Sequence, residues 1–364
     1  MKKIKTAGLS LLGVSALTGM ILRFLPSLGA KPTKEEREDY KRRAENYKDG
    51  KFINQGDFVL MQRASKDSRR ESLSDEPSTP KRWIPVDRVR LPEDLKVSDL
   101  AITWFGHSSL LIQMHGLRIL IDPILSQMAS PVAFMGCKRY SKLPVTAEEL
   151  PHIDLCIYTH DHYDHLDYAT VRKMDSKVDH YVVPLGVDCH LRRFGVKQDK
   201  ITNMAWWEEF TYKGLTIACT PARHFSGRSL NDRASSLWAS FVLSDEYHRI
   251  FESGDGGYGE HFKEIGRRYP GIELALPDCA QYDPRWASSH MTPEESYRGM
   301  KEAGADYIMP IHWGAYCLAP HPWGDPVRRY LRAAGKDSHI VTPRIGQTMR
   351  WEDLDQYREH WWCE

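Results

Sequence analysis

The hexapeptide at residues 160–165 contains four candidate metal ligands, and it follows an apolar, strand-like run. A loop that leaves a buried strand can curl so that its first two histidines converge on one ion, while its last two residues point to a neighbouring position. Imidazole and carboxylate together suit zinc, with manganese or iron as alternatives. The pattern His-x-His-x-Asp-His predicts a two-metal centre, against the alternative of a solvated polar turn. The candidate ligands are His160, His162, Asp164 and His165.

Further ligands must come from elsewhere in the chain, and three candidates stand just past strand-like runs. His224 follows the run 215–220, and His312 follows the run 307–311. Asp255 follows a third run and is flanked by glycines, which permit a tight turn and a close backbone approach. Any one of these would more often be structural, but the same placement recurs three times. We therefore expect one sheet edge to gather all of them.

The remaining pattern predicts two sheets with helices packed outside them, an α/β sandwich. We expect strands at 101–105, 110–114, 117–121, 155–159, 181–183, 215–220, 237–243 and 307–311. We expect helices at 33–51, 168–174, 262–268, 293–303 and 326–334. Thr292 and Asp325 stand as N-caps before prolines, and Glu295 completes a capping box with Thr292.

Composition excludes several classes of protein. The chain has 50 Lys and Arg against 49 Asp and Glu, a net charge of +1, so no overall field recruits nucleic acid. Its 7 cysteines include no Cys-x-x-Cys pair, which argues against a zinc ribbon and a disulfide framework. The oligomeric state is not indicated.

The N-terminus is typical of a targeting segment. Three lysines precede the uncharged run 6–22, so residues 1–30 are predicted to be a signal anchor or a signal peptide. Bulky Leu28 makes a poor cleavage site, which favours an uncleaved anchor. The protein is thus expected to be membrane-anchored or exported, with the side of the membrane left open. A charged helix and a mobile linker are expected over 31–97, and a hydrolase domain over 98–364.

The ordered ligand set resembles that of the metallo-β-lactamase superfamily, and it is most similar to the N-acylphosphatidylethanolamine-hydrolysing phospholipase D family and its bacterial relatives. The resemblance covers about 51–332. It is carried by WFGHSS at 104–109, IDP at 121–123, ASP at 129–131, SHMTPEE at 289–295 and IHWG at 311–314. It implies an αββα sandwich with two mixed sheets, helices on the outer faces and two zinc ions at one edge.

The resemblance also implies how the ligands divide. His160, His162 and His224 would hold one zinc, Asp164, His165 and His312 the other, and Asp255 would bridge both. The chain departs from the family pattern in having Gly256 after Asp255 and the polar pair Asp278-Cys279 where small apolar residues are usual. These departures are expected to alter the pocket rather than metal binding.

Two metal ions that share a water can present hydroxide at neutral pH, which suits in-line attack on a phosphodiester. We expect a phospholipase D-type phosphodiesterase that acts on a glycerophospholipid and associates with the membrane through its N-terminus. Asp164 and His290 are the catalytic candidates, and His290 would stabilise developing charge or protonate the leaving group. The alternatives are a metal-dependent hydrolase of a soluble lactone or phosphate ester, and a non-catalytic membrane-tethered scaffold.

Several other residues have two interpretations. His107 would either orient a metal ligand or fill a buried turn, and Asp122 would either hydrogen bond to a metal-binding imidazole or cap the loop that Pro123 starts. Arg223 and Arg228 would meet phosphate or lie on the surface. The aromatic tail that ends in Trp361-Trp362 would dock on the domain or on a bilayer.

Overall fold

The computed structural model describes residues 25–61 and 76–363. A seven-stranded mixed sheet forms one half of the molecule. Its strands lie in the spatial order β10 (Ile201–Met204), β9 (Val178–Pro184), β8 (Ile153–Ile157), β5 (Leu117–Ile121), β4 (Leu110–Met114), β3 (Ala101–Trp104) and β17 (Thr348–Arg350).

A six-stranded mixed sheet packs against the first. Its strands lie in the order β11 (Glu209–Tyr212), β12 (Leu215–Pro221), β13 (Ala239–Ser244), β14 (Arg249–Glu252), β15 (Leu274–Leu276) and β16 (Tyr307–Ile308). Two short hairpins lie outside the sheets: β1 (Tyr47–Lys48) with β2 (Lys51–Phe52), and β6 (Met128–Val132) with β7 (Met135–Lys138).

Six α-helices complete the fold over the described residues. They are α1 (Lys34–Arg43), α2 (Tyr168–Met174), α3 (Val187–Phe194), α4 (His261–Arg268), α5 (Pro293–Glu302) and α6 (Asp325–Ala334). Buried side chains of α2 and α3 share a core with the first sheet, and those of α4, α5 and α6 share a core with the second sheet. The layers are therefore helix, sheet, sheet, helix, which confirms the predicted αββα sandwich.

Strand β4 shows how the sequence pattern builds these layers. Leu110, Ile112 and Met114 belong to the core between the sheets, whereas Leu111 belongs to the core under the helices. Successive side chains of a strand point to opposite faces, so a continuous apolar run indicates a strand buried on both sides. The predicted bounds of β4 and β5 agree with the structure.

The direction of the strands positions the candidate ligands. Strands β5 and β8 are parallel in the first sheet, and β14, β15 and β16 are parallel in the second. Strand β12 runs the same way as β14, because β13 is antiparallel to both. The loops that follow these strands therefore meet at one edge of the sandwich, as the sequence predicted.

The prediction of a helix over 33–51 was wrong at its C-terminal end. Helix α1 ends at Arg43, and the β1–β2 hairpin follows, with Asp49 and Gly50 at positive φ in its turn. Tyr40, Tyr47 and Phe52 form a buried cluster that also contains Trp238 of the main domain. Burial of these three aromatic rings overrides the helical propensity of the charged residues around them.

The two predicted N-caps had different outcomes. Thr292 accepts a hydrogen bond from the Glu295 N–H in a complete capping box, as predicted. Asp325 is instead the first residue of α6, and Gly324 is the cap. The Asp325 carboxylate accepts a hydrogen bond from the Tyr282 hydroxyl, so a tertiary contact occupies the group that would have capped the helix.

Parts of the predicted N-terminal organisation lie outside the described residues. They are residues 1–24 of the targeting segment and 62–75 of the linker region. Among the residues that the structure does describe, no helix is long and apolar enough to cross a membrane.

The aromatic tail docks on the domain. Trp361 and Trp362 are 1% and 4% exposed. Trp361 stacks on Trp313 with ring centroids 5.1 Å apart, and Trp104 packs against both rings, at 6.3 Å from Trp361 and 5.2 Å from Trp313. The tail therefore supports Trp313, the neighbour of His312.

We predict that Trp361→Ala lowers the free energy of unfolding by about 3–5 kcal/mol, because it leaves a cavity among three indole rings. Urea denaturation monitored by circular dichroism measures this change. Trp83, which is 64% exposed, provides the control, and Trp83→Ala should change stability by less than about 0.5 kcal/mol. Equal effects of the two substitutions would contradict the packing described for the tail.

Candidate dinuclear metal centre

Three histidines converge at the edge where β8 and β12 end. His162 Nδ1 lies 3.0 Å from His160 Nε2 and 3.1 Å from His224 Nε2. Burial lowers the pKa of His160 and of His224 well below the ordinary value, and it lowers the pKa of His162 to about 4. The three imidazoles are therefore neutral, and a ligand nitrogen of each lies within 4.8 Å of those of the other two.

A second group of ligands lies beside the first. His165 Nε2 is 3.5 Å from Asp164 Oδ2, and the His165 ring stacks on the His312 ring with centroids 5.2 Å apart. Atoms of Asp164, His165 and His312 that can bind a metal, together with one of His107, all lie within 4.8 Å of one another. The predicted ligands thus form two neighbouring groups.

Asp255 lies between the two groups. Its Oδ2 is 3.1 Å from His165 Nε2 and about equally far, 3.9 and 4.0 Å, from His160 Nε2 and His224 Nε2. Its Oδ1 is 3.1 Å from His312 Nδ1. This is the position that the bridging carboxylate was expected to take. All seven predicted ligands are thus brought together, and only His162 among them is more than marginally exposed.

Hydrogen bonds from neighbouring residues fix the orientation of these side chains. Asp122 Oδ2 accepts a hydrogen bond from His165 Nδ1 at 2.7 Å, and Asp122 Oδ1 accepts one from the Thr159 N–H at 2.8 Å. His107 Nε2 donates to Asp164 Oδ2 at 2.9 Å. Asp122 and His107 therefore orient candidate ligands, which decides between their two interpretations.

Two of these orienting contacts were not assigned from the sequence. His224 Nδ1 donates to the Ser289 carbonyl at 2.9 Å, which leaves Nε2 as the free lone pair. The Ser108 hydroxyl hydrogen bonds with His312 Nδ1 at 2.9 Å. Ser108 and Ser289 belong to motifs that carried the family resemblance, but neither residue type at its position indicates which imidazole it contacts.

The buried carboxylates give the site an excess of negative charge, which favours the binding of cations. Burial opposes a charge on His165, but the carboxylates of Asp255, Asp164 and Asp122 outweigh it and raise the pKa of His165 well above the ordinary value. Burial raises the pKa of Asp255 to about 6, since His165 offsets this only in part. One imidazolium does not compensate three buried carboxylates.

The donor set fits two divalent ions. Nitrogens bound to one zinc at about 2.1 Å would lie about 3.4 Å apart in a tetrahedral arrangement, which is close to the spacing of the three histidines. Two buried atoms at the site, Asp255 Oδ1 and His312 Nε2, have no hydrogen-bond partner. Burial of a polar atom without a partner costs free energy, and a bound metal ion would supply the missing partner.

His290 lies beside the two groups. Its ring centroid is 5.0 Å from that of His224 and 5.5 Å from that of His312. His290 Nδ1 donates to Asp278 Oδ2 at 3.0 Å, and although burial opposes the charge, Asp278 raises the pKa of His290. Asp278, the departure from the family pattern, thus holds His290. A cavity of about 500 Å³ opens beside His290 and is lined by Tyr282, Pro320 and His321 among others.

The two arginines near His224 do not point to the site. Arg223 donates to the carbonyls of Tyr258 and Asp57. Arg228 is 4% exposed. It donates to the carbonyls of Asp161 and Leu166, near the two ends of the hexapeptide 160–165 (the metal motif), and to that of Ser27. Both guanidinium groups bind backbone carbonyls. The surface interpretation was wrong for the buried Arg228, whereas Arg223 is half-buried.

Comparison with known proteins agrees with this arrangement. The family model described as a beta-lactamase superfamily domain matches residues 117–313. An uncharacterised Mycobacterium tuberculosis protein is 38% identical over 87% of this chain and 87% of its own length. The "N-acyl-phosphatidylethanolamine-hydrolyzing phospholipase D 1" of Caenorhabditis elegans is 32% identical over 75% of this chain and 81% of its own length.

Among solved structures, a metallo hydrolase of Ignicoccus hospitalis is similar with a TM-score of 0.53 and 19% identity, over 70% of this chain and 98% of that chain. This likeness is one of fold. The chain belongs to the metallo-β-lactamase superfamily and is a metal-dependent hydrolase of that class. Its relatives there include phospholipases D that hydrolyse N-acylphosphatidylethanolamine.

We predict that Asp122→Asn lowers metal affinity about 10–100-fold, because the carboxamide holds His165 and Thr159 less strongly than the carboxylate does. Titration of the metal-free protein with zinc, followed by calorimetry, measures the change. Asp154→Asn is the matched control, because Asp154 lies on β8 and pairs with Lys213 away from the site. Unchanged affinity in the Asp122 variant would contradict the orienting role.

Proposed function

We propose that this protein is a zinc-dependent phosphodiesterase of phospholipase D type that hydrolyses a glycerophospholipid such as N-acylphosphatidylethanolamine. The observation that carries the proposal is the convergence of all seven ligand-type side chains at one sheet edge, with His290 beside them. The similarity to the Caenorhabditis elegans phospholipase D supports the choice of substrate.

Two zinc ions per chain are proposed, with manganese or iron as substitutes. His160, His162 and His224 would hold one ion, Asp164, His165 and His312 the other, and Asp255 would bridge them. The bound ions would activate a water molecule and neutralise charge on the phosphate oxygens. Asp164 is oriented for this role by the hydrogen bond from His107.

His290 is proposed to donate a proton to the leaving group. Its Nδ1 is engaged by Asp278, so its Nε2 remains to donate a proton. Because Asp278 raises the pKa of His290, this contact favours the form of the ring that carries the proton. Donation from Nε2 to the departing alkoxide oxygen completes cleavage of the phosphorus–oxygen bond, and the ring also stabilises negative charge on the phosphate before that step.

The proposed setting of the enzyme is a membrane. Residues 1–30 would act as an uncleaved anchor or an export signal, followed by the segment 31–97 and the hydrolase domain 98–364. Nucleic acid is not proposed as a partner, because the net charge is only +1.

We predict that the zinc-loaded protein releases phosphatidic acid and an N-acylethanolamine from N-acylphosphatidylethanolamine, as measured by mass spectrometry of the lipid products. Removal of metal with a chelator should abolish the release, and added zinc should restore it. Turnover of a panel of lactones, with no phosphatidic acid formed from any phospholipid, would instead favour a carbonyl hydrolase. Metal content below one ion per chain in a folded protein would favour a non-catalytic scaffold.

We predict that His290→Gln lowers kcat on the phospholipid about 10²–10⁴-fold without changing metal content, because the alkoxide then leaves without a proton. With bis(p-nitrophenyl) phosphate the loss should be under about tenfold, since nitrophenolate needs no proton to depart. The control is His152→Gln, at a half-exposed histidine paired with Asp179. An equal loss on both substrates would show that His290 is not the proton donor.

A further inference from the structure

The β6–β7 hairpin presents two large apolar side chains to solvent. Phe134 is 85% exposed and Met135 is 65% exposed. Val132 pairs with Met135, so Ala133 and Phe134 form a two-residue turn. Turns of this length usually contain asparagine or glycine, and a phenylalanine there serves no purpose in the turn itself. An apolar tip of this kind indicates a surface that binds something outside the domain.

A second apolar tip lies on the loop that follows His224. Leu230 in this loop is 95% exposed. The loop is held rigidly, because Arg228 donates to carbonyls of the metal motif and the Tyr163 hydroxyl donates to the Arg228 carbonyl at 2.5 Å. Leu230 is therefore presented on a fixed support rather than on a loose loop.

The N-terminal turn Pro26–Leu28 joins the two tips. The Ser27 hydroxyl donates to the Pro131 carbonyl of the hairpin at 2.6 Å. Arg228 donates to the Ser27 carbonyl at 2.9 Å. The uncharged run 6–22, predicted to be a membrane segment, precedes this turn in the sequence.

Both tips belong to segments that contact loops of the candidate metal centre. The Cys137 thiol of β7 donates to the Cys317 carbonyl at 3.1 Å, on the loop that follows His312. Tyr163 follows His162, the most exposed of the candidate ligands. Each apolar tip is therefore joined to a loop that carries candidate ligands, the hairpin to the loop after His312 and the Leu230 loop to the loop at 160–165.

The charges around the tips also fit a lipid surface. The segments 123–138 and 225–231 contain no aspartate or glutamate. Lys138 and Arg233 are exposed beside the tips, and Arg233 lies over the Phe225 ring at 5.9 Å. Apolar side chains flanked by cations are the combination that binds bilayers containing anionic lipid.

We propose that the tips formed by Phe134, Met135 and Leu230 dock on a lipid bilayer, next to the N-terminal segment, and so turn the mouth of the metal site toward the membrane surface. The inference rests on the proposed function for the nature of the substrate, whereas the docking itself is measured without catalysis. It assigns membrane contact to the hydrolase domain in addition to the N-terminus.

Hydrogen–deuterium exchange of the full-length protein tests the docking directly. Vesicles of phosphatidylcholine with a minority of phosphatidylglycerol are the probe. Peptides that cover 130–138 and 226–233 should exchange more slowly with vesicles than without them, whereas peptides around Val97 and Tyr247 should not change. Bound protein with unchanged exchange at both tips would overturn the proposal, as would failure to bind. Protection that appears without vesicles and grows with protein concentration would assign the face to a second copy and overturn it too.

A triple variant tests whether the docking serves turnover. Phe134→Ser/Met135→Ser/Leu230→Ser should lower hydrolysis of vesicle-borne lipid at least about tenfold and leave hydrolysis of bis(p-nitrophenyl) phosphate unchanged. Val97→Ser/Tyr247→Ser removes exposed apolar side chains, 51% and 47% exposed, away from the site and should change neither rate. Equal losses on both substrates would overturn the proposal. If neither substrate is hydrolysed by the wild type, the proposed function fails, while the exchange experiment still decides the docking.

Discussion

Three buried carboxylates, those of Asp122, Asp164 and Asp255, impose the constraint on which the rest of the site depends. Each lies within hydrogen-bonding distance of His165, and one imidazolium cannot compensate all three. Burial lowers the pKa of the other four candidate histidine ligands, so they contribute lone pairs instead of charge. Divalent cations resolve this imbalance, because they accept the lone pairs and the carboxylate charge together.

The fold keeps these groups in place from several directions. Strands of both sheets end at the same edge, and each loop that carries a candidate ligand is held by a contact from another part of the chain. Arg228 binds both ends of the metal motif and the N-terminal turn, while Trp361 packs behind His312 through Trp313. The N-terminal turn and the C-terminal tail are thus connected to the metal centre through Arg228 and Trp313.

Local pattern predicted much of this arrangement, and tertiary contacts account for what it missed. Strands β4 and β5 and the loop ligands follow from apolar runs and from the residues after them, which are properties of neighbouring positions. The end of α1, the cap of α6 and the roles of Asp278 and Arg228 depend on residues far away in the sequence. A lone aspartate or arginine has no periodic signal, so its partner becomes visible only in the folded chain.

In the proposed reaction, water attacks phosphorus. Hydrolysis of N-acylphosphatidylethanolamine in water labelled with oxygen-18, followed by mass spectrometry of both products, tests it most directly. We expect the label in the phosphate of phosphatidic acid and none in the N-acylethanolamine. Label in a fatty acid or in the ethanolamine hydroxyl would place the attack on carbon and contradict the account.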